Sequence, residues 1–442
     1  MCEDTVRPLE WRHCCDSPNS WLSLSLMRAR VFVPPILISL ALILPASLSF
    51  TFRCPPKHTT QNSYKYSSHL TMSASPADAS VPSTVVIAGA GVIGTSTAYY
   101  LAKNFNIKSV LVDITGEVAP AASGKAGGFL ALDWNDHTPP LGRLARRSFT
   151  LHEELAKEFG ADKIMYRRLT CASISVDSSK RMTKPGGKKL AGVDWAQDDE
   201  SDDPVLGMQP LGDEETIAQV HPKMLCDALF EEAKKAAGCE IIKGEVDVPL
   251  YNDDKLVGIK LKDGTEISGD ALLYACGPWT KQGAMLGVKY HSVHIPTERV
   301  LNQAVFFSGC GDPEVYPRPD KTAYCCGFPD SPVKVNESPG EEEVRQEKVD
   351  EIVNAVRSAS GKDGALSAEP CLTQSCYLPS TPDGLPMMGE ISNQKGCYVA
   401  AGHSCWGILL GPGSGETMAN VIATGKSTEH VDIRWFDPNR FD

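Results

Sequence analysis

The chain reads Val85-Val86-Ile87-Ala88 and continues Gly89-Ala90-Gly91-Val92-Ile93-Gly94, and this stretch decides its fold. The first four residues form an apolar run that is typical of a buried parallel strand. Apolar side chains at helical spacing follow in residues 95–104 and predict a helix. The first glycine permits a tight turn, the second allows a pyrophosphate to approach the backbone, and the third lets the helix pack on the strand. The N-terminus of the helix would then face the phosphate groups.

A second apolar strand, residues 109–112, ends in Asp113, about 20 residues beyond the glycines. An acid at this point accepts hydrogen bonds from a ribose 2′-hydroxyl and disfavours a 2′-phosphate. The small-residue loop 121–128 follows, and its backbone N–H groups suit a second phosphate, although a flexible linker is the alternative. NAD and FAD are both bound by this device, so these residues leave the choice of dinucleotide open.

Composition restricts the class of protein. The chain has 442 residues, of which 42% are hydrophobic and 22% charged, and this predicts a globular protein of two or three domains. The net charge of −12, without a basic run, argues against nucleic-acid binding. The 15 cysteines are scattered and lack zinc-ligand spacing, so we expect reduced thiols and no metal site.

Residues 1–82 have the composition of a targeting leader. Residues 17–77 contain no Asp or Glu and are rich in Ser, which favours a transit peptide for a chloroplast or other organelle. The apolar segment 31–50 is long enough to span a bilayer, so contact with a membrane is expected only if this segment is retained. A secretory signal or membrane anchor, and a cytoplasmic protein that starts at Met72, are the alternatives.

Motifs far along the chain identify a family. The segments are Thr381-Pro382-Asp383-Gly384-Leu385-Pro386-Met387-Met388-Gly389, then Gly402-His403-Ser404-Cys405-Trp406-Gly407-Ile408, then Gly411-Pro412-Gly413-Ser414-Gly415. With the glycine turn, they resemble the superfamily of D-amino-acid oxidase, glycine oxidase and sarcosine oxidase, over residues from about 84 to 441. The resemblance selects FAD as the cofactor. It implies an α/β fold, α+β overall, with a discontinuous Rossmann-like FAD-binding domain (83–150, 220–290 and 380–440) and a mixed or antiparallel-sheet substrate domain (151–219 and 291–379).

The resemblance also implies cofactor contacts. The glycine turn would hold the pyrophosphate, Asp113 the adenosine ribose, Val246 the adenine, and the segment from Gly402 to Ile408 the isoalloxazine ring. Cys376 matches a cysteine that is linked covalently to flavin in the sarcosine oxidase branch. The complete set of expected FAD contacts is Gly89, Ala90, Gly91, Val92, Ile93, Gly94, Asp113, Ser123, Gly124, Gly127, Gly128, Val246, Cys376, Gly402, His403, Ser404, Cys405, Trp406, Gly407 and Ile408.

The activity implied by the resemblance is oxidation of a C–N bond in a small amine or amino-acid derivative. Hydride would pass to flavin N5, with molecular oxygen as the expected acceptor. A dehydrogenase that passes electrons to a quinone or a protein, and a non-catalytic FAD-binding scaffold, are the alternatives.

The chain departs from the family where a substrate carboxylate is held. Leu378 stands where relatives have an Arg, and Cys405 and Leu409 replace basic ligands. Arg299 and Arg318 are candidates for a replacement clamp, since a guanidinium group matches a carboxylate.

Two further residues are candidates for catalytic roles. Lys334 resembles the lysine that promotes the reaction with oxygen in the sarcosine oxidase branch. His403 is a candidate general base, with a packing role as the alternative.

Overall fold

The computed structural model describes residues 81–176, 188–189, 192–198, 205–283, 285–335, 337–360 and 364–441. The predicted leader 1–82, including its apolar segment 31–50, lies outside these ranges except for its last two residues. Parts of the predicted segment 151–219 also lie outside them. Within the described ranges, no helix is both long and apolar enough to cross a membrane.

Strands supply most of the regular structure, and six α-helices are described. The helices are α1 Val92–Phe105, α2 Ala122–Lys125, α3 Pro139–Phe159, α4 Pro222–Ala237, α5 Gln346–Ser360 and α6 Gly407–Thr424. The strands are β1 Thr84–Ala88, β2 Lys108–Asp113, β3 Phe129–Ala131, β4 Arg167–Arg168, β5 Thr170–Val176, β6 Lys188–Lys189, β7 Gln197–Asp198, β8 Val205–Gly212, β9 Ile217–Gln219, β10 Glu240–Lys243, β11 Val246–Asn252, β12 Lys255–Leu261, β13 Glu266–Ser268, β14 Ala271–Tyr274, β15 Leu286–Pro296, β16 Gln303–Ser308, β17 Glu314–Pro317, β18 Thr322–Gly327, β19 Leu372–Ser380, β20 Met387–Glu390 and β21 Cys397–Ala401. Short 3₁₀ turns lie at Gly277–Trp279, Ser404–Trp406, Ile433–Phe436 and Pro438–Phe441.

The strand, turn, helix and strand predicted from residue 85 onward are confirmed. Strands β1 and β2 pair in parallel, with Val86 opposite Val110. Helix α1 begins at Val92, earlier than predicted, because Gly91 is extended and already serves as its N-cap. Asn106, with φ of 54°, ends the helix in the left-handed conformation.

The first large sheet has six strands in the order β10-β2-β1-β14-β21-β20. Its first five strands are parallel, and β20 pairs antiparallel to β21. Helix α1 packs between the sheet, α4 and α6. Because the strands come from segments far apart in the chain, the sheet confirms the discontinuous Rossmann-like fold.

The second large sheet has seven strands in the order β19-β15-β18-β17-β16-β5-β8. All neighbours are antiparallel except β16 and β5, so the predicted mixed sheet is confirmed. Residues such as Val293 and Val305 pack against Ile352 and Val356 of α5 on one face. The opposite face carries Phe306, whose ring packs against Phe129 of β3 and Trp134. The exact domain boundaries stay a prediction.

A proline inside α6 is compensated by a histidine from α3. Pro412 has no N–H group, so the carbonyl of Ile408, four residues earlier, loses its helical donor. His152, which is fully buried, lies with its Nε2 atom 2.9 Å from that carbonyl oxygen. The imidazole therefore completes the first turn of α6.

Burial keeps several histidines neutral. It lowers the pKa of four of them from an ordinary value of 6.5 to about 4, and that of a fifth to about 3. The first four are His152, His221, His291 and His294, and the fifth is His403.

The lowered pKa values of these histidines predict that the protein loses stability in mild acid. Between pH 6.5 and about 4 the unfolded chain binds protons that the folded chain excludes, so the free energy of unfolding falls as the pH drops. Each histidine contributes at most about 1.4 kcal/mol per pH unit. Urea titrations of the parent at pH 7 and 5.5 should show this fall. His152→Gln, which keeps a donor for the carbonyl, should reduce the slope, and the exposed-site control His430→Gln should not. An unfolding free energy that is constant between the two pH values would contradict the prediction.

Candidate functional site

A cavity of about 810 Å³ lies at the carboxyl ends of the parallel strands. The last residues of β1, β2, β14 and β21 line it, together with the first residues of α1 and α6. Ligands of open α/β sheets bind at this edge, and the volume suits a large organic ligand.

The glycine turn at the cavity leaves no room for side chains. Gly89 has φ of 105°, and a Cβ atom added there would overlap the Ala275 carbonyl oxygen. A Cβ atom at Gly94 would overlap the Gly89 carbonyl oxygen. The first and third glycines therefore fix the turn and the close approach of α1 to β1.

The N-terminus of α1 is directed at the cavity. Its N-cap Gly91 makes no side-chain cap, and the first turn contains no acidic residue. The Val92 N–H donates to Ser123 Oγ at 2.9 Å, so a hydroxyl group of the α2 loop lies at the helix end. Gly91, Val92 and Ser123 all line the cavity. This concave, electropositive site fits the pyrophosphate of a dinucleotide.

Asp113 closes the neighbouring part of the cavity. Its Oδ2 atom accepts from Ala90 N–H at 3.1 Å, and its Oδ1 atom accepts from the N–H and the hydroxyl of Thr115 at 3.0 and 2.8 Å. A carboxylate has about four acceptor positions, so Asp113 retains capacity for a ribose hydroxyl. These contacts orient it, and it lines the cavity.

A second helix N-terminus lies at another part of the cavity. Beyond β21 the chain turns through Gly402, with φ of 83°, and Ser404, with φ of 51°, and then begins α6. Helix α6 makes no side-chain N-cap and has no acidic residue in its first turn. Its positive end suits the negative charge that develops on a reduced isoalloxazine ring.

His403 lines the cavity as a neutral, fixed side chain. Its Nε2 atom lies 2.9 Å from Ser414 Oγ, and burial lowers its pKa to about 3. A group that ionises only in strong acid is poorly matched to proton transfer near neutral pH. The geometry therefore favours the packing role of His403 over the general base.

The structure brings most of the expected cofactor residues to one cavity, although their contacts with FAD stay predictions. Those that line it are Gly89, Gly91, Val92, Ile93, Asp113, Ser123, Val246, Gly402, His403, Ser404, Cys405, Gly407 and Ile408. Those outside the lining are Ala90, Gly94, Gly124, Gly127, Gly128, Cys376 and Trp406.

The three other predicted catalytic residues lie outside the cavity lining. Arg318 is buried, and its Nη2 atom donates to the Ala126 carbonyl at 2.9 Å, so it braces the α2 loop. Arg299 is half exposed and forms an ion pair with Asp194 at 2.9 Å. Lys334 is exposed, whereas its neighbour Val335 lines the cavity. Their predicted catalytic roles gain no support from these positions.

Sequence reasoning missed a buried ion pair at the cavity. Lys289 of β15 has a side chain that is 8% exposed, and its Nζ atom lies 3.0 Å from Glu337. Glu337 lines the cavity, and its carbonyl accepts from Trp279 Nε1 at 2.7 Å. The only signal in the sequence was a lysine inside an apolar strand. The pair holds the segment around residue 337 over the cavity.

Comparison with known proteins agrees with this geometry. Residues 84–421 match the family described as FAD dependent oxidoreductase. A putative oxidoreductase of Schizosaccharomyces pombe is 32% identical over 395 residues, which cover 80% of this chain and 97% of that protein. Glycine oxidase of Bacillus licheniformis is 26% identical over 360 residues, 77% of this chain and 92% of that protein. The crystal structure of glycine oxidase from Geobacillus kaustophilus has a TM-score of 0.66 at 22% identity, covers 80% of this chain and 98% of that one, and shows the shared fold.

Gly94→Ala should weaken FAD binding at least about tenfold, because the added methyl group forces α1 away from the Gly89 carbonyl. FAD titration of the apoprotein by calorimetry measures the change, and circular dichroism checks the fold. The matched control is Gly207→Ala, since a Cβ atom at Gly207 meets nothing within 4 Å. Equal FAD affinity in the two variants would contradict the role of Gly94 in shaping the FAD site.

The position of Cys376 predicts that FAD is released by acid precipitation. Cys376 lies on β19, buried and outside the cavity lining, and burial raises the pKa of its thiol to about 12. Attachment to a flavin requires a thiolate that reaches the ring. Flavin fluorescence should therefore appear in the supernatant. Fluorescence that stays with the pellet in the parent and is lost in Cys376→Ser would show the covalent link instead.

Proposed function

The chain belongs to the FAD-dependent oxidoreductase family, and from this premise we propose that it oxidises the C–N bond of a small amine or amino-acid derivative with molecular oxygen as the acceptor. The observation that carries the proposal is the convergence of two helix N-termini without acidic residues and of Asp113 on one cavity. The relatives named glycine oxidase act on glycine by their names, which supports a small nitrogen compound as the substrate class.

The residues of the chain would bind and orient the cofactor. The first turn of α1 and Ser123 would hold the pyrophosphate, and Asp113 would accept from the adenosine ribose. The first turn of α6 would stabilise negative charge on the ring. FAD, when bound, supplies the acceptor for the hydride. Hydride transfer requires the neutral amine, so a substrate that binds as an ammonium ion must first release a proton to solvent.

The acceptor has a specific alternative. Lys334, the residue expected to promote the reaction with oxygen, is exposed and outside the cavity lining. This favours, as a second candidate, a dehydrogenase that passes electrons to a quinone or a protein. Replacement of the expected Arg by Leu378 motivates a third, an FAD-binding scaffold without turnover.

The leader carries a separate proposal. The Ser-rich composition of residues 17–77, which lack Asp and Glu, supports delivery to a chloroplast or other organelle. Secretion, membrane anchoring through 31–50 and a cytoplasmic form are the alternatives, and sequencing of the mature N-terminus tests them.

Anaerobic mixing of the FAD-loaded protein with a panel of alkylamines, N-methylated amines and amino acids tests the proposed function. We expect at least one compound to bleach the flavin absorbance, because a bound amine would deliver hydride to it. Stopped-flow mixing with air-saturated buffer should then restore the absorbance rapidly. The control is the same protein reduced by light, which measures the reaction with oxygen without substrate.

Two results would contradict parts of this proposal. Absence of bleaching by every compound would favour the scaffold. Bleaching followed by slow recovery in air, but fast recovery with a quinone, would identify the dehydrogenase.

A further inference from the structure

The face of the seven-stranded sheet that carries Phe306 also carries a carboxylate, Glu314. The strand registers place it in a straight row, with Phe306 on one side and Cys326 on the other. Two residues along β17, on the same face, lies Tyr316. Antiparallel neighbours in such a row are in side-chain contact.

Glu314 is held by neutral donors. The Tyr316 hydroxyl donates to its Oε2 atom, and the Cys326 thiol lies 3.6 Å from the same oxygen. Burial raises the pKa of Glu314. Within the described ranges no Lys, Arg or His forms an ion pair with it. A carboxylate that is desolvated without a cation is costly, and a cationic ligand would remove that cost.

Glu314 lies beside the candidate cofactor cavity. Phe306, its neighbour across the strands, packs on Trp134, and Trp134 lies 6.3 Å between ring centroids from Trp406, whose neighbours Cys405 and Gly407 line the cavity. Tyr316 packs against Gly127, where an added Cβ atom would overlap the tyrosine ring, and the preceding Ala126 lines the cavity. Glu314 itself lies outside the cavity lining, and Tyr316 connects it to the α2 loop at the edge of the cavity.

Aromatic rings surround this position. Phe129 stacks on Tyr316 at 5.2 Å between ring centroids, and Tyr316 stacks on Tyr324 at 5.9 Å. Trp134 lies 5.1 Å from Phe306 and 5.2 Å from Phe129. Aromatic faces attract ammonium groups and cover methylene groups, so this cluster suits an organic cation.

The positions that hold a substrate carboxylate in relatives lack positive charge here. Leu378 and Cys405 line the cavity as uncharged side chains. Arg318 donates to the Ala126 carbonyl, and its Nη1 atom lies 3.4 Å from His221 Nε2, so its guanidinium group is turned toward the α2 loop. An α-carboxylate would therefore meet Glu314 without the basic clamp that relatives have at these positions.

We propose that Glu314, oriented by Tyr316 and flanked by the aromatic cluster, binds the ammonium group of an aliphatic amine that lacks an α-carboxylate. The assignment rests on the proposed function, because it names the substrate class for the same site. Binding brings a cation next to the carboxylate and its apolar chain against Phe129 and Trp134. Glu314 would distinguish amines from amino acids by charge. Its carboxylate attracts an ammonium group and repels the α-carboxylate of an amino acid.

Binding to the FAD-loaded protein, with its flavin first reduced by light, tests the inference without turnover. The probes are n-butylamine, n-butanol and norvaline, and binding is read from perturbation of the flavin spectrum under anaerobic conditions and by calorimetry. We expect n-butylamine to bind at least about tenfold more tightly than the other two. Glu314→Gln, which keeps the shape and the bond from Tyr316, should weaken n-butylamine at least about tenfold and leave n-butanol unchanged.

Two variants control for structure. Glu266→Gln removes an exposed carboxylate of β13 and should leave all three affinities unchanged. Tyr316→Phe keeps the ring and should weaken n-butylamine less than Glu314→Gln does. If Glu314→Gln fails to retain FAD, the inference is tested with Tyr316→Phe alone. An affinity for n-butylamine in Tyr316→Phe that equals that of the parent would overturn the inference.

The outcomes separate this inference from the proposed function. Binding of n-butylamine that depends on Glu314, without bleaching by any amine, would support the cation site and overturn the oxidase proposal. Bleaching by amino acids that is unaffected by Glu314→Gln would support the oxidase and overturn the cation site.

Discussion

The close contact between α1 and β1 is the constraint on which the rest of the structure depends. Gly94 lies against the Gly89 carbonyl with no space for a methyl group, and this contact directs the N-terminus of α1 into the cavity. Helix α6 then packs on α1, so its own N-terminus reaches the same cavity from another side. His152 stabilises that end because its Nε2 atom forms a hydrogen bond with the Ile408 carbonyl, which Pro412 leaves without a donor. One backbone contact thus positions both electropositive ends.

The α2 loop couples the cofactor side to the substrate side. Ser123 contacts the N-terminus of α1, Lys125 forms a buried ion pair with Glu342, and the Ala126 carbonyl accepts from Arg318. Each bond joins the loop to a different part of the chain. Together the three bonds fix the backbone of the loop at the edge of the cavity, which Ser123 and Ala126 line. Arg318 therefore contributes by bracing this loop rather than through a free guanidinium group.

The sequence predicted the parts of the site that are local in the chain. The strand, the glycine turn, the helix and Asp113 lie within one continuous stretch, so their spacing determines their geometry. The ion pair of Lys289 with Glu337 could not be predicted, because the two residues meet only after β15 pairs with its neighbours. Glu314 was missed for the same reason. Its distinguishing feature is that no cationic partner contacts it among the residues that the structure describes, and that depends on the registers of several strands.

The two sides of the site favour ligand groups of opposite charge. The cofactor side presents two helix N-termini, which favour electron-rich groups, and the substrate side presents Glu314, which favours a cation. Loss of the expected Arg at Leu378 then has a physical explanation. A guanidinium group at that cavity-lining position would add positive charge to the site and so disfavour an ammonium ligand. In a site with this polarity, an uncharged residue at position 378 preserves the attraction on which binding of an amine depends.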